Sequence, residues 1–303
     1  MQRCILIGGE PTLHPAFTEF VSLIEQEGLN LALVTNGLKF ADKKFTQNCL
    51  KAGLENLTIS LHGWSKKSYL DNTKNDAFEC LEIALANIIE AGIKVSFEIT
   101  LGRTLYNNLK EILDFIKRNS VKWTICNIAA PVLSKNGTII DKEVLTPEQI
   151  SESCQEIHKI VKLYGIKVSF LLTVPFCNFP RKFIDELITQ RLIRYICQLQ
   201  YGGGFVISSD NSLCLCTHFA DFPITDYQET NELFSSRDKF LTFWNSSQMY
   251  ELRNKASVAR SKGCVDCDYW GICKGGCIAF WSSRDPEDFM SYQKEFASQK
   301  NKF

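Results

Sequence analysis

Short apolar runs alternate with amphipathic stretches over the first part of the chain. The apolar runs predict strands over residues 4–9, 31–34, 57–61, 95–101, 123–130 and 166–172. Between them, apolar residues recur at helical spacing and predict helices over residues 16–27, 41–52, 76–91, 107–118 and 147–163. Strands that alternate with helices in this way are typical of βαβ units, so we expect an α/β fold built on a parallel sheet.

Polar and glycine residues follow three of the predicted strands. The sequence reads GGEP at residues 8–11, TNG at 35–37 and HG at 62–63. Ligands of α/β proteins bind at the carboxyl ends of parallel strands, where these residues are expected. Glycine lets the backbone approach a ligand closely, and Pro11 favours extended geometry at Glu10. The competing interpretation is a tight turn in which Glu10 is only solvated.

The pattern changes near residue 180, where we place a domain boundary. A helix is predicted over residues 181–196, and glycine-rich residues 201–205 and two short strands around a turn at 209–212 follow. We therefore predict one domain over residues 1–180 and a second over 181–283. Residues 284–303 are polar and rich in lysine, which is typical of a frayed or disordered tail.

Composition excludes several classes of partner. The 303 residues carry 34 basic and 34 acidic side chains and a net charge of zero, so neither nucleic acid nor an anionic membrane is expected as a partner. No apolar run is long enough to span a membrane. No secretory signal pattern is visible, so we expect a cytoplasmic location.

Thirteen cysteines are the unusual feature of the composition. Four of them, Cys264, Cys267, Cys273 and Cys277, fall in one short segment, and Cys197, Cys214 and Cys216 precede it. Clustered thiols in a reducing compartment indicate metal ligands. Zinc and iron–sulfur clusters both bind such groups, and the spacing does not separate them.

Together these motifs resemble those of radical S-adenosylmethionine enzymes with a C-terminal SPASM domain. GGEP matches the motif that holds the amino group of S-adenosylmethionine, TNG matches the end of the next strand, and ISLHG at 59–63 resembles the strand end whose serine approaches the ribose. The resemblance implies a partial (β/α)6 TIM-like barrel lacking its first strand. It assigns cofactor binding to Gly8, Gly9, Glu10, Pro11, Asn36, Ser60 and His62.

The cysteines resemble the SPASM pattern, with Asn211 in place of its glycine. Asparagine is acceptable there because it also adopts positive φ in hairpin turns. The resemblance implies one or two auxiliary 4Fe–4S clusters, with one site formed by Cys197, Cys216 and Cys277 and the other by Cys264, Cys267 and Cys273. The final cysteine of the pattern is absent, and Cys177 or Cys214 are candidates to complete a site.

One departure concerns the catalytic cluster. The family holds this cluster with a CxxxCxxC motif that precedes GGEP, and this spacing occurs nowhere in the 303 residues. We therefore expect that the chain begins at the second strand of the barrel. We also expect that alone it does not cleave S-adenosylmethionine.

The resemblance implies an enzyme that uses a 5′-deoxyadenosyl radical to modify a peptide or protein, with flavodoxin or ferredoxin as electron donor. Three alternatives remain. The chain is a non-catalytic fragment or an accessory cluster-binding protein, a sulfatase-maturase-like enzyme, or a zinc-binding module fused to an α/β domain. The maturase is disfavoured because Thr217 and His218, not a carboxylate, follow Cys216.

Overall fold

The structure is a computed structural model that describes residues 3–134, 139–194, 197–257 and 262–281. The predicted tail at 284–303 lies outside these residues. The strands are β1 Arg3–Leu6, β2 Asn30–Thr35, β3 Asn56–Ser60, β4 Lys94–Leu101, β5 Trp123–Ile128, β6 Val132–Leu133, β7 Ile139–Ile140, β8 Lys167–Leu171, β9 Val206–Ile207 and β10 Leu213–Cys214.

Fourteen helical segments accompany these strands in the described ranges. They are α1 Phe17–Gln26, α2 Lys43–Lys51, α3 Lys66–Thr73, α4 Phe78–Glu90, α5 Arg103–Tyr106, α6 Leu109–Arg118, α7 Pro147–Leu163, α8 Arg181–Thr189, α9 Gln198–Tyr201, α10 Tyr227–Leu233, α11 Arg237–Trp244, α12 Ser247–Ala256, α13 Trp270–Cys273 and α14 Ile278–Trp281.

The main sheet has six strands in the order β1-β2-β3-β4-β5-β8. The pairs β1–β2, β2–β3 and β3–β4 are parallel, as the alternation of strands and helices predicted. Each predicted strand of the sheet lies within a few residues of an observed one. The prediction of an α/β fold with a parallel sheet is therefore confirmed.

Strand register places the motif residues at one edge of the sheet. Thr35 pairs with Ile59, and Ser60 pairs with Glu98. Because the strands are parallel, the turn after β1, the end of β2 and the end of β3 all reach the same side. The core beneath them is apolar, with Phe97 and Phe115 almost fully buried.

One predicted helix ends early in the structure, and several observed helices were not predicted, α3 and α10 to α12 among them. The helix predicted over 181–196 ends at Thr189, because Arg191 adopts a left-handed φ of 56° and Leu192 N–H donates to the Leu187 carbonyl. Helix α3 was not predicted, since its sequence KKSYLDNT has no apolar periodicity. A capping box between Ser65 and Ser68 starts this helix instead.

The chain divides into two compact units. The first comprises residues 1–127 and 152–169, and the second comprises residues 128–151 and 170–303. The first unit contains most of the main sheet, and the second contains the hairpin β9–β10 and the clustered cysteines. The division into family domains near residue 180 stays a prediction.

Gly63 allows a close approach between the end of β3 and α3. A Cβ atom added at Gly63 would lie 2.4 Å from Tyr69 Cα and 2.5 Å from Tyr69 N. Both contacts are with helix α3, so no flexible side chain can move aside. Only glycine fits this crossing, and it allows the buried Tyr69 side chain to reach its position.

We predict that Gly63→Ala lowers the free energy of unfolding by about 1–3 kcal/mol, as expected for overpacking against a helix. Thermal or urea unfolding measures the change. Gly203→Ala is the matched control, because an added Cβ there meets no atom within 4 Å. We expect the control to change stability by less than about 0.5 kcal/mol. Equal stability of the two variants would contradict the close approach.

Candidate functional site

A cavity of about 420 Å³ lies at the carboxyl edge of the sheet in the first unit. This volume is within the range of about 300–1,000 Å³ that is usual for small-molecule sites. Of the residues expected to bind the cofactor, Gly8, Gly9, Glu10, Asn36, Ser60 and His62 line it. Pro11 does not, since it begins the adjacent 3₁₀ turn Pro11–Leu13. The structure thus brings six of the seven together, and their role in binding stays a prediction.

The glycine turn leaves its backbone open to the cavity. Gly8 and Gly9 have φ of 93° and 48°, which L side chains rarely adopt. A Cβ atom added at either position would meet no protein atom within 4 Å. The glycines therefore make the turn possible and leave room for a ligand beside the main chain.

The Glu10 carboxylate accepts four hydrogen bonds from protein donors. Thr12 donates its backbone N–H (3.1 Å) and its hydroxyl (2.7 Å) to Oε1. The Thr35 hydroxyl also donates to Oε1 (2.7 Å), and the Asn36 N–H donates to Oε2 (2.7 Å). The carboxylate thus connects the turn after β1 to the end of β2. It borders the cavity and also positions Thr35 and Asn36, a role that the sequence did not predict.

Two further residues of the cavity wall were not predicted. Tyr69 comes from α3 and Glu98 from β4, where it accepts a 2.6 Å hydrogen bond from Asn127 Nδ2. Burial raises the pKa of Tyr69, and the nearby Cys80 and Glu10 raise it further, so the phenol keeps its proton at neutral pH. Glu98 could have been identified from the sequence, because it is a carboxylate within the apolar run KVSFEITL. Tyr69 had no such signal.

His62 closes the cavity at the end of β3. Burial lowers the pKa of this imidazole, so it is neutral at physiological pH. Its backbone carbonyl accepts a 2.7 Å hydrogen bond from Asn72 Nδ2. The cavity therefore presents hydroxyl groups, a neutral imidazole and open backbone, beside the carboxylates of Glu10 and Glu98.

The clustered cysteines form two groups in the second unit. Burial, followed by the neighbouring thiols of Cys216 and Cys197, raises the pKa of Cys277 to about 11. Burial and the neighbouring Cys267 raise the pKa of Cys273, and hydrogen bonds from backbone N–H groups lower it in part. Cys277 is thus close to Cys197 and Cys216, and Cys273 is close to Cys267. This grouping agrees with the two sets that the resemblance implied, and ligation itself stays a prediction.

The hairpin before these cysteines has the expected conformation. Strands β9 and β10 pair antiparallel, and Asn211 in the intervening turn has a φ of 62°. The expectation that asparagine adopts positive φ at the glycine position is confirmed. Cys216 follows directly and lies 3.6 Å from His218 Nδ1.

Within the ranges that the structure covers, no three His, Cys, Asp or Glu side chains are placed to hold a single metal ion. Zinc and a 4Fe–4S cluster both bind cysteine thiolates, so the identity of the bound group stays a prediction.

Comparison with known proteins agrees with the resemblance seen in the sequence. Residues 1–116 match the family model of the Radical SAM superfamily. Among curated relatives, a "Probable GTP 3′,8-cyclase" of Thermococcus kodakarensis is 28% identical over 154 residues, covering 50% of this chain and 44% of that protein. A protein of the same description from Saccharolobus islandicus is 31% identical over 114 residues, covering 37% and 35%. The chain thus spans less than half the length of these relatives.

Solved structures match nearly the whole chain. Streptococcus suis SuiB bound to S-adenosylmethionine has a TM-score of 0.68 at 17% identity, covering 93% of this chain and 64% of that one. SuiB bound to the precursor peptide SuiA has a TM-score of 0.66 at 16% identity, covering 93% and 63%. Native anSMEcpe with bound AdoMet has a TM-score of 0.67 at 18% identity, covering 98% and 82%. At these identities the likeness shows the fold, which agrees with the predicted barrel-like α/β class.

Among the described helices, none combines the length and apolar character that crossing a membrane requires.

We predict that Glu10→Gln lowers the free energy of unfolding by about 1–3 kcal/mol. The N–H groups of Thr12 and Asn36 approach different oxygens of the carboxylate. An amide has one oxygen, so its NH₂ group must face one of these donors whichever way it turns. Urea unfolding measures the loss, and the exposed Glu27→Gln, expected to be nearly neutral, is the control. A Glu10→Gln protein as stable as the control would contradict the positioning role.

Proposed function

We propose that this chain, whose residues 1–116 match the Radical SAM superfamily, is part of an S-adenosylmethionine-dependent radical enzyme that modifies a peptide or protein. In this proposal the cavity binds S-adenosylmethionine, and the two cysteine groups hold auxiliary iron–sulfur clusters. A flavodoxin or ferredoxin supplies the electron. The observation that carries the proposal is the convergence of GGEP, TNG and the end of β3 around one cavity.

The residues of the cavity suit the chemical groups of S-adenosylmethionine. The open backbone at Gly8 and Gly9 and the nearby carboxylate of Glu10 suit its ammonium group. Ser60 and Glu98 are paired in register and therefore share one face of the sheet, where a hydroxyl and a carboxylate can bind the hydroxyls of a ribose. When bound, S-adenosylmethionine supplies a 5′-deoxyadenosyl radical that removes a hydrogen atom from the substrate.

The protein's own side chains fix the shape of the proposed binding site, and the cofactor supplies the radical chemistry. The four donors on Glu10 fix the first two turns before a ligand arrives, so little ordering is required on binding. The buried Tyr69 fills the side of the cavity formed by α3 and keeps water out. The neutral His62 adds no positive charge to repel a sulfonium.

A peptide or protein substrate is favoured over a nucleotide by the extent of the matches. The cyclase relatives correspond to at most half of this chain. SuiB, whose structure contains a precursor peptide, matches 93% of it in fold. The proposal therefore assigns this chain to peptide modification, with nucleotide cyclisation as the second candidate.

We predict that the 303 residues alone form no 5′-deoxyadenosine from S-adenosylmethionine under strong reductant. The CxxxCxxC spacing of the catalytic cluster occurs nowhere in this sequence. A longer chain that carries such a segment ahead of β1 is expected to form the product, which chromatography with mass detection measures. The same longer chain with its three added cysteines changed to alanine is the control. Robust product from the 303 residues alone would overturn this assignment of ligands.

We predict that Cys264→Ala combined with Cys267→Ala lowers the iron and sulfide content of anaerobically reconstituted protein to about half, since one of two clusters loses its ligands. Cys4→Ala combined with Cys80→Ala is the matched control and should keep the full content. Iron content that is unchanged by the first double variant would contradict cluster binding. Zinc in place of iron would favour the zinc-binding module.

A further inference from the structure

A segment far from the clustered cysteines in sequence packs directly on them. Cys277 N–H donates to the Thr173 carbonyl (2.8 Å), and Phe176 N–H donates to Cys273 Sγ (3.3 Å). A Cβ atom added at Gly276 would lie 2.8 Å from Pro175 N. The backbone of residues 173–178, which we call the docking segment, thus contacts the cysteine loop 264–277 without intervening side chains.

Side chains beyond the docking segment anchor the same loop. Tyr269 stacks edge-on against Phe176, with ring centroids 6.0 Å apart, and its hydroxyl donates to Asp185 (2.6 Å). Arg181 pairs with Asp268 at 2.5 Å, and because both side chains are exposed this pair adds little stability. The loop is therefore fixed against residues 173–185 at several points.

Cys177 belongs to the docking segment and follows Phe176, whose N–H donates to Cys273 Sγ (3.3 Å). It lies in the 3₁₀ turn Phe176–Asn178, whose other two residues are buried, whereas Cys177 itself is exposed. Neighbouring atoms still desolvate its sulfur. This burial, followed by the charges of Cys273, Cys264 and Cys267, raises the pKa of Cys177 to about 12. Cys177 therefore lies in the turn that contacts Cys273, although it is outside the SPASM pattern.

Thiols placed close to one another suit a metal centre. Like charges at short range disfavour ionisation, and a metal centre reverses this effect because it binds the thiolate forms. Iron–sulfur clusters of the four-iron type use four cysteines, one on each iron. The local pattern CxxC-x5-C supplies three ligands, and the fourth position is the one that the sequence left open.

Cys214, the other candidate, has different neighbours. It is buried in β10, and its thiol points at the Ala220 carbonyl, 3.8 Å away. Burial raises the pKa of Cys214, a hydrogen bond with Ser212 lowers it in part, Asp210 raises it slightly, and no other cysteine contributes. Cys214 therefore does not share in the group formed by Cys264, Cys267 and Cys273.

We infer that Cys177 is the fourth protein ligand of the auxiliary cluster held by Cys264, Cys267 and Cys273, which the docking segment brings to the open iron. This inference rests on the proposed function, since it requires a cluster at that site. It has a structural consequence. With all four irons ligated by cysteine, this cluster has no position for exogenous ligands and serves electron transfer or stability.

The test uses the full chain with Cys197→Ala and Cys216→Ala, which remove the other thiol group and leave one cluster to observe. After anaerobic reconstitution, mild oxidation should leave this cluster intact. Adding Cys177→Ala should make it lose about one iron per chain and develop the paramagnetic resonance signal of a three-iron cluster. Cys214→Ala in the same background is the matched control and should retain all its iron.

Cys177→Ser provides the second variant, because an oxygen ligand retains the iron weakly and should give an intermediate loss. Circular dichroism establishes that each variant is folded. A Cys177→Ala protein with the iron content and spectrum of its parent overturns the inference, and the proposed clusters then stand if Cys264→Ala with Cys267→Ala still loses iron. A parent protein that binds no iron overturns the proposed function and this inference with it.

Discussion

The carboxylate of Glu10 is the constraint on which the cavity depends. Parallel strands bring the turn after β1 and the end of β2 to one edge, but they do not determine how the loops beyond them are arranged. Four donors converge on two oxygens and fix that arrangement. Lys39, whose ammonium group donates to the Thr12 carbonyl (2.6 Å), holds the same two loops together from the other side. The exposed backbone of Gly8 and Gly9 is rigid for this reason, although no side chain covers it.

The surroundings of Glu10 and of Cys273 differ in their electrostatics. Around Glu10 the protein itself supplies the groups that balance the charge, so the arrangement is complete without a ligand. Around Cys273 the neighbours of a thiol are other thiols, and only backbone N–H groups such as that of Phe176 offset their repulsion. The first site is therefore held in place by its own hydrogen bonds, whereas the second is suited to the cluster that we propose.

The sheet could be predicted from sequence because each of its strands is a short apolar run bounded by turn residues. The motif residues at its edge followed from the rule that parallel strands share a carboxyl edge. Helix α3 could not be predicted, because capping and the fit of Tyr69 beside Gly63 determine it and apolar periodicity does not. The early end of α8 depends on one left-handed residue, Arg191, for which the sequence carries no signal. The neighbours of Cys177 are determined by tertiary packing. Spacing along the sequence therefore could not distinguish Cys177 from Cys214 as a candidate ligand.

The hydrogen bond from Phe176 to Cys273 joins residues 97 positions apart, so this contact can form only late in synthesis. Strands β1 to β4 are connected by short helical segments and can pair while the ribosome is still extending the chain. The docking segment contacts the cysteine loop only after that loop has been translated, near the end of the described residues. During that interval the thiol of Cys177 has none of its partners and is open to oxidation. Under the proposed function, the cluster that would protect this thiol is assembled only after the cysteine loop has been translated.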